Sequence, residues 1–152
     1  MTLTLQINGK QFVTSCNPEI PLVYVLRNDL ELKGSKIGCG LEQCGACAIL
    51  VDGRLQLSCN VPVSWFEGRE ITTIEGLREN KIGKRVQDAF IKTNAAQCGY
   101  CTAGMVIAVT ALLHINQTPT EDEIKTTLAP HICRCGAHPK ILEAVKLAVT
   151  VS

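Results

Sequence analysis

The chain carries almost no excess charge: 15 Lys and Arg against 14 Asp and Glu leave a formal net charge of +1 with neutral histidines. It lacks the basic field that a phosphate backbone requires, which argues against nucleic acid as a partner. Aromatic residues are scarce at 4%, so Leu, Ile, Val and Ala must fill any core, and a hydrophobic content of 46% is enough for one. No apolar run approaches the roughly 18 residues that would mark a membrane span. The opening MTLTLQINGK shows no basic n-region, apolar h-region, twin arginine or cleavage site. The expectation is residence in the cytoplasm.

Cysteine, by contrast, is abundant, with 9 in 152 residues. An odd count without an export signal does not describe a disulfide framework, and clustered thiols in a reducing compartment point to metal. They fall into two sets of four: Cys39, Cys44, Cys47 and Cys59, then Cys98, Cys101, Cys133 and Cys135. Cys16 is left over and reads as a small buried hydrophobe.

The first set has the spacing C-x4-C-x2-C-x11-C, whose opening three match the plant-type [2Fe-2S] pattern. Gly38, Gly40 and Gly45 lie among them in IGCGLEQCGAC. Positive φ at these glycines would let the backbone wrap a cluster and aim N–H groups at its sulfurs. The competing reading is structural zinc, although zinc sites usually use paired C-x2-C knuckles. The second set, C-x2-C-x31-C-x-C, suits zinc or iron by spacing alone. Beside the first set, a second redox centre is the more economical reading. His114, His131 and His138 raise a Rieske-type alternative, which eight matched cysteines make superfluous.

Local patterns place these sets on structure. Asn8-Gly9 separates two strand candidates, TLTLQI and QFVTSC, and Asp52-Gly53 separates AILV from RLQL, so both read as hairpins. IPLVYVLRNDL reads as a short helix behind Pro21, and EITTI as the last strand. From about Gly83 the period becomes helical. TAGMVIAVTALLHI shows an apolar stripe through Met105, Ala108, Val109 and Leu112. Thr120 and Glu123 form a capping box, and Pro139 opens a final helix with a buried face of Ile141, Leu142, Val145 and Ala148. His138 is a helix-start residue. Trp65 and Phe66 read as core or interface packing, and Arg27, Lys33 and Lys36 as a solvated face. The expected architecture is α+β, a mixed sheet with one helix followed by four helices. The boundary falls in EGLRENKIGK, giving domains 1–78 and 79–152.

GCGLEQCGAC with Cys59, then ITTIEGL, AAQCGYC and HICRCGAHPKI, resemble the small iron-sulfur subunit of the molybdenum hydroxylases, the xanthine oxidase and aldehyde oxidoreductase family. The resemblance runs from about Leu3 to Leu147. It implies a ferredoxin-like β-grasp domain and a four-helix bundle, each with one [2Fe-2S] cluster. Cys39, Cys44, Cys47 and Cys59 would ligate the first and Cys98, Cys101, Cys133 and Cys135 the second. It further implies that Gln97 and the Cys135 sulfur lie against a molybdopterin cofactor, as the cytosine dinucleotide, held by a large partner subunit. Electrons from oxidation of an aldehyde or N-heterocycle would pass singly through both clusters to a cytochrome, an FAD-binding medium subunit or another acceptor. The chain would be an electron-transfer subunit, not catalytic alone.

Two positions depart from the family pattern. Ala103 stands where Pro is usual, which suits a helix. Glu42 replaces a small residue, and its carboxylate either lowers a cluster potential or is merely solvated. Arg134, between two cysteines, has donors for a cluster, a cofactor or a partner carboxylate. Two alternatives remain at this point: a free-standing ferredoxin-like carrier, and a zinc-stabilised interaction module.

Overall fold

The computed structural model describes residues 2–151. Met1 and Ser152, the outer limits of the two expected domains, lie outside the described residues. The first half is a five-stranded mixed sheet in the order β2-β1-β5-β3-β4. Strands β1 (Leu3–Ile7) and β2 (Lys10–Thr14) form one hairpin, and β3 (Ala48–Val51) and β4 (Arg54–Leu57) another. Both turns are the two-residue kind expected, with Asn8, Gly9, Asp52 and Gly53 all at φ between 51° and 77°. Such turns match the twist of the flanking strands. Strand β5 (Glu70–Thr72) enters the middle of the sheet, parallel to β1 through Ile7 opposite Ile71 and antiparallel to β3.

One core lies under this sheet, built from Leu3, Leu5, Ile7, Leu22, Leu26, Phe66 and their neighbours. The expected short helix covers it, as α1 (Leu22–Tyr24) continuing into a wider turn over Val25–Asp29, with Pro21 as its cap. Phe66 is fully buried, whereas Trp65 lies at the surface with the Arg69 guanidinium 3.8 Å above its ring.

The second half consists of α2 (Lys81–Lys92), α3 (Thr102–Ile115), α4 (Glu121–Leu128) and α5 (His138–Thr150). Asn80 caps α2 through Gly83 N–H, and Thr120 and Glu123 close the capping box of α4. His138 and Pro139 open α5, as the sequence predicts. Helix α3 corrects the expectation of a single apolar stripe. Every residue from Gly104 to Ala111 is buried, and Leu112, assigned to the stripe, is only partly so. The physical reason is position: α3 packs against strand β3 as well as against α2 and α4. A helix enclosed on several sides is apolar all round.

Strand β3 joins the halves. Ile49 and Val51 enter the core of the first half, while Ala48 and Leu50 enter the helical core. That double burial explains its continuous apolar run in place of an alternating one. Among the described residues, no helix is long and apolar enough to cross a membrane.

Candidate metal centres

The eight cysteines of the two sets stand in twos. Thiol contacts join Cys39 to Cys44, Cys47 to Cys59, Cys98 to Cys135 and Cys101 to Cys133. Among the described residues, no three His, Cys, Asp or Glu side chains are assembled around one ion. Two adjacent pairs per set fit a two-iron cluster, which takes four thiolates, two at each iron. Cys16 stands apart, half-buried against the core of the first half.

The first set straddles the surface. Cys47 and Cys59 are 2% and 6% exposed, packed with Val23, while Cys39 is exposed. Backbone donors converge on the outer pair: Leu41 and Gln43 N–H donate to Cys39 Sγ at 3.3 and 3.2 Å, and Cys39 N–H to Cys44 Sγ at 3.3 Å. Chiefly through the Leu41 and Gln43 N–H groups, the Cys39 thiol is lowered to about 7. Burial pushes the Cys47 thiol the other way, up to about 12. The loop is thus prepared for negative sulfur at Cys39, while the buried Cys47 needs a metal to deprotonate it.

Gly40 and Gly45 adopt the expected positive φ, at 67° and 74°. Gly38 does not, and the reason for a glycine there is close approach: a Cβ would come within 2.5 Å of Cys44 Sγ. Glu42 is exposed and itself has φ of 57°, a left-handed conformation that a non-glycine residue rarely adopts. The turn at Glu42 lies between the two residues whose N–H groups reach Cys39.

Arg27 and Lys36 are not the solvated face expected of them. Arg27 Nη1 donates to the Lys33 and Ser35 carbonyls, both at 2.8 Å, and Lys36 Nζ to the Lys33 and Gly34 carbonyls at 2.7 and 3.0 Å. Together they fasten the strap that leads into Cys39. Lys33 alone fits the expectation, exposed and paired with Glu31. No local pattern marks Arg27 for this role, because its acceptors are carbonyls six and eight residues away.

The second set is built on helix ends. Cys98 and Cys101 precede α3, and Cys133 and Cys135 precede α5. Cys98 is exposed and the other three are partly buried. The Tyr100 N–H first, then the Cys135 thiol, lower Cys98, whereas burial raises Cys101 to about 11. Ala103 is helical, as expected of Ala in place of Pro. Gln97 and Arg134 are both exposed beside this set.

The two sets meet along a tight seam. Tyr100 Oη donates to the Ile37 carbonyl at 2.6 Å, and Ile132 N–H to the Cys44 carbonyl at 3.1 Å. Gly104 of α3 lies so close that a Cβ would stand 2.2 Å from the Gly45 carbonyl oxygen. A cavity of about 710 Å³ lies elsewhere, between α2 and α5, with Lys81, Arg85 and Lys92 among its lining residues and no cysteine.

Residues 5–73 match the family model of the 2Fe-2S iron-sulfur cluster binding domain, and residues 73–146 that of the [2Fe-2S] binding domain. A nicotinate dehydrogenase subunit of Pseudomonas putida is 46% identical over 147 residues, covering 97% of this chain and 94% of the relative. The solved quinoline 2-oxidoreductase of Pseudomonas putida 86 superposes with a TM-score of 0.90 at 36% identity, over 99% of this chain and 94% of that one. In the aldehyde oxidoreductase of Desulfovibrio desulfuricans the same fold, with a TM-score of 0.89 and 35% identity over 99% of this chain, makes up 17% of a longer chain. With two cluster-domain matches, full-length relatives and a shared fold, the chain belongs to the electron-transferring iron-sulfur subunits of the xanthine oxidase and aldehyde oxidoreductase type of molybdenum hydroxylases.

Proposed function

We propose that Cys39, Cys44, Cys47 and Cys59 hold one [2Fe-2S] cluster and that Cys98, Cys101, Cys133 and Cys135 hold the other, in domains that divide at about residues 78 and 79. The observation that carries this reading is the arrangement of eight thiols as two sets of two adjacent pairs. When bound, the clusters supply two one-electron carriers. The chain's own task is to hold them at a fixed separation, offset their negative charge and shield one side from water.

Gln97 and Cys135 face the pterin of a molybdopterin cytosine dinucleotide held by a large subunit. Gln97 is exposed and Cys135 only partly buried, which leaves both within reach of that contact. The exposed Cys39 rim faces the next acceptor, an FAD-binding subunit in this reading. A nitrogen heteroaromatic is the favoured substrate of the complex, since full-length relatives are named for nicotinate and quinoline; an aldehyde is the second choice. We place the complex in the cytoplasm, where thiols remain reduced for metal loading.

The test is an iron and sulfide assay with low-temperature electron paramagnetic resonance on the dithionite-reduced protein, purified with its large partner. Two distinct S = 1/2 signals are expected, together with molybdenum in the co-purified chain. A single signal, or zinc without visible absorption, would overturn the assignment of the second set.

A further inference from the structure

His131 is 5% exposed and belongs to the segment that carries Cys133 and Cys135, yet its ring is seated on the other cysteine loop. A Cβ on Gly45 would come within 2.2 Å of His131 Nδ1 and 2.7 Å of Cε1 and Cγ, so the ring fills the space where any other residue's side chain would begin. Gly45 directly follows Cys44. Its φ of 74° and its missing side chain both serve this contact. The next residue along, Ile132, donates its N–H to the Cys44 carbonyl at 3.1 Å. His131 N–H is tied back to the Leu128 carbonyl at 2.8 Å, which fixes the ring to the end of α4.

The ring's hydrogen bonding does not explain its burial. Nδ1 is buried and has no hydrogen-bond partner among the described residues. A buried imidazole without a strong partner is costly, so shape is what the position uses. The ring also borders a cavity of about 220 Å³ lined by Met105, Leu128, His138 and Leu142. Packing there is incomplete, and the Gly45 face is left as its firm contact.

We propose that His131 is a positioning residue: seated on Gly45, it fixes the gap between the two cysteine sets and thereby the rate at which an electron crosses between the clusters they hold. This rests on the two-cluster assignment above. The step moves one electron: the helical cluster is oxidised, the ferredoxin-like cluster is reduced, and no bond or proton changes. Tunnelling weakens exponentially with distance, so a small loosening of the 131–135 segment against residues 44–45 slows it, as small misplacements do in other positioned reactions.

The experiment uses the protein purified with its large partner and compares His131→Ala with His131→Phe, which keeps a planar ring over Gly45. The readouts are iron content, the two separate signals of the reduced clusters, the magnetic splitting between them, and the pre-steady-state rate at which the ferredoxin-like cluster is reduced. In His131→Ala, full iron and both signals are expected, because all eight cysteines of the two sets remain, while the splitting is diminished and the rate falls. In His131→Phe both recover. A fully loaded His131→Ala protein with unchanged splitting and rate would overturn the proposal. If His131→Ala does not load, a loaded His131→Phe protein that lacks the splitting does the same, and one that retains it supports the seat. Failure of the wild-type protein to show two signals would instead sink the cluster assignment.

Discussion

The two cysteine sets face the same electrostatic problem, several negative charges in a small volume, and the chain meets it in two ways. In the first set the loop itself supplies the donors: Leu41, Gln43 and Cys39 N–H groups reach sulfur directly, and glycines make the approach possible. In the second, two helices begin just after the cysteine pairs, so the positive ends of α3 and α5 both lie beside the thiols. The first solution is local and depends on backbone conformation in a dozen residues. The second is assembled from segments some 30 residues apart in sequence and depends on how the bundle packs. One site therefore fails through its loop, the other through its core.

The bluntest way to break that comparison is to remove one inner thiol from each set. Cys47→Ser is expected to abolish the signal of one cluster and Cys101→Ser that of the other, each leaving the second signal in place and each eliminating turnover of the complex. Loss of both signals from either change, read by paramagnetic resonance, would show that the sites are not independent.

A milder change separates packing from ligation. Gly104→Val introduces atoms where even a Cβ would lie 2.2 Å from the Gly45 carbonyl oxygen, an overpacking that costs about 1–3 kcal/mol. Chemical denaturation should show that loss, together with weakened iron retention in the second set. Next in size, Arg27→Ala removes two bonds to the carbonyls of Lys33 and Ser35, one exposed and one partly buried, a net loss of about 1–2 kcal/mol once water replaces them. Faster loss of iron from the first set alone is expected, followed by absorbance during chelation.

The smallest effect belongs to α4, which carries no cysteine. Thr120→Ala should lower stability by about 1 kcal/mol without altering either signal. The partner in that cap, Glu123, is held below the ordinary 4.5 by the Thr120 N–H first and its hydroxyl second. Its contribution is complete above pH 4.5 and disappears as the pH falls through the lowered value. In Glu123→Gln, the part of the acid-induced loss of stability that comes from this group should vanish from melting curves taken as the pH falls below 4.5.

Both hairpins, the α4 cap and the start of α5 were legible in the sequence because each depends on residues within a few positions of one another. The grouping of the cysteines was legible for the same reason within the first loop. What sequence could not reveal was approach between distant segments. Gly104 sits in an apolar helix with nothing to mark it, and its need for a missing side chain arises only when α3 meets the Gly45 carbonyl. Gly38 reads as a conformational glycine when its requirement is space for the Cys44 sulfur. Helix α3 looks one-sided in sequence because its partners on the remaining sides, including β3, are far away in the chain.

The placement of β5 has a consequence for how the protein is made. It is the last strand in sequence but stands at the centre of the sheet, between β1 and β3. During synthesis the two hairpins emerge first, with all four thiols of the first set, and have no edge in common until Glu70–Thr72 arrives between them. Until then those thiols hang from an unfinished sheet with two open edges. The first set should therefore be able to take up metal only once β5 is in place, and a nascent chain stalled before Glu70 should present its cysteines to oxidants rather than to iron.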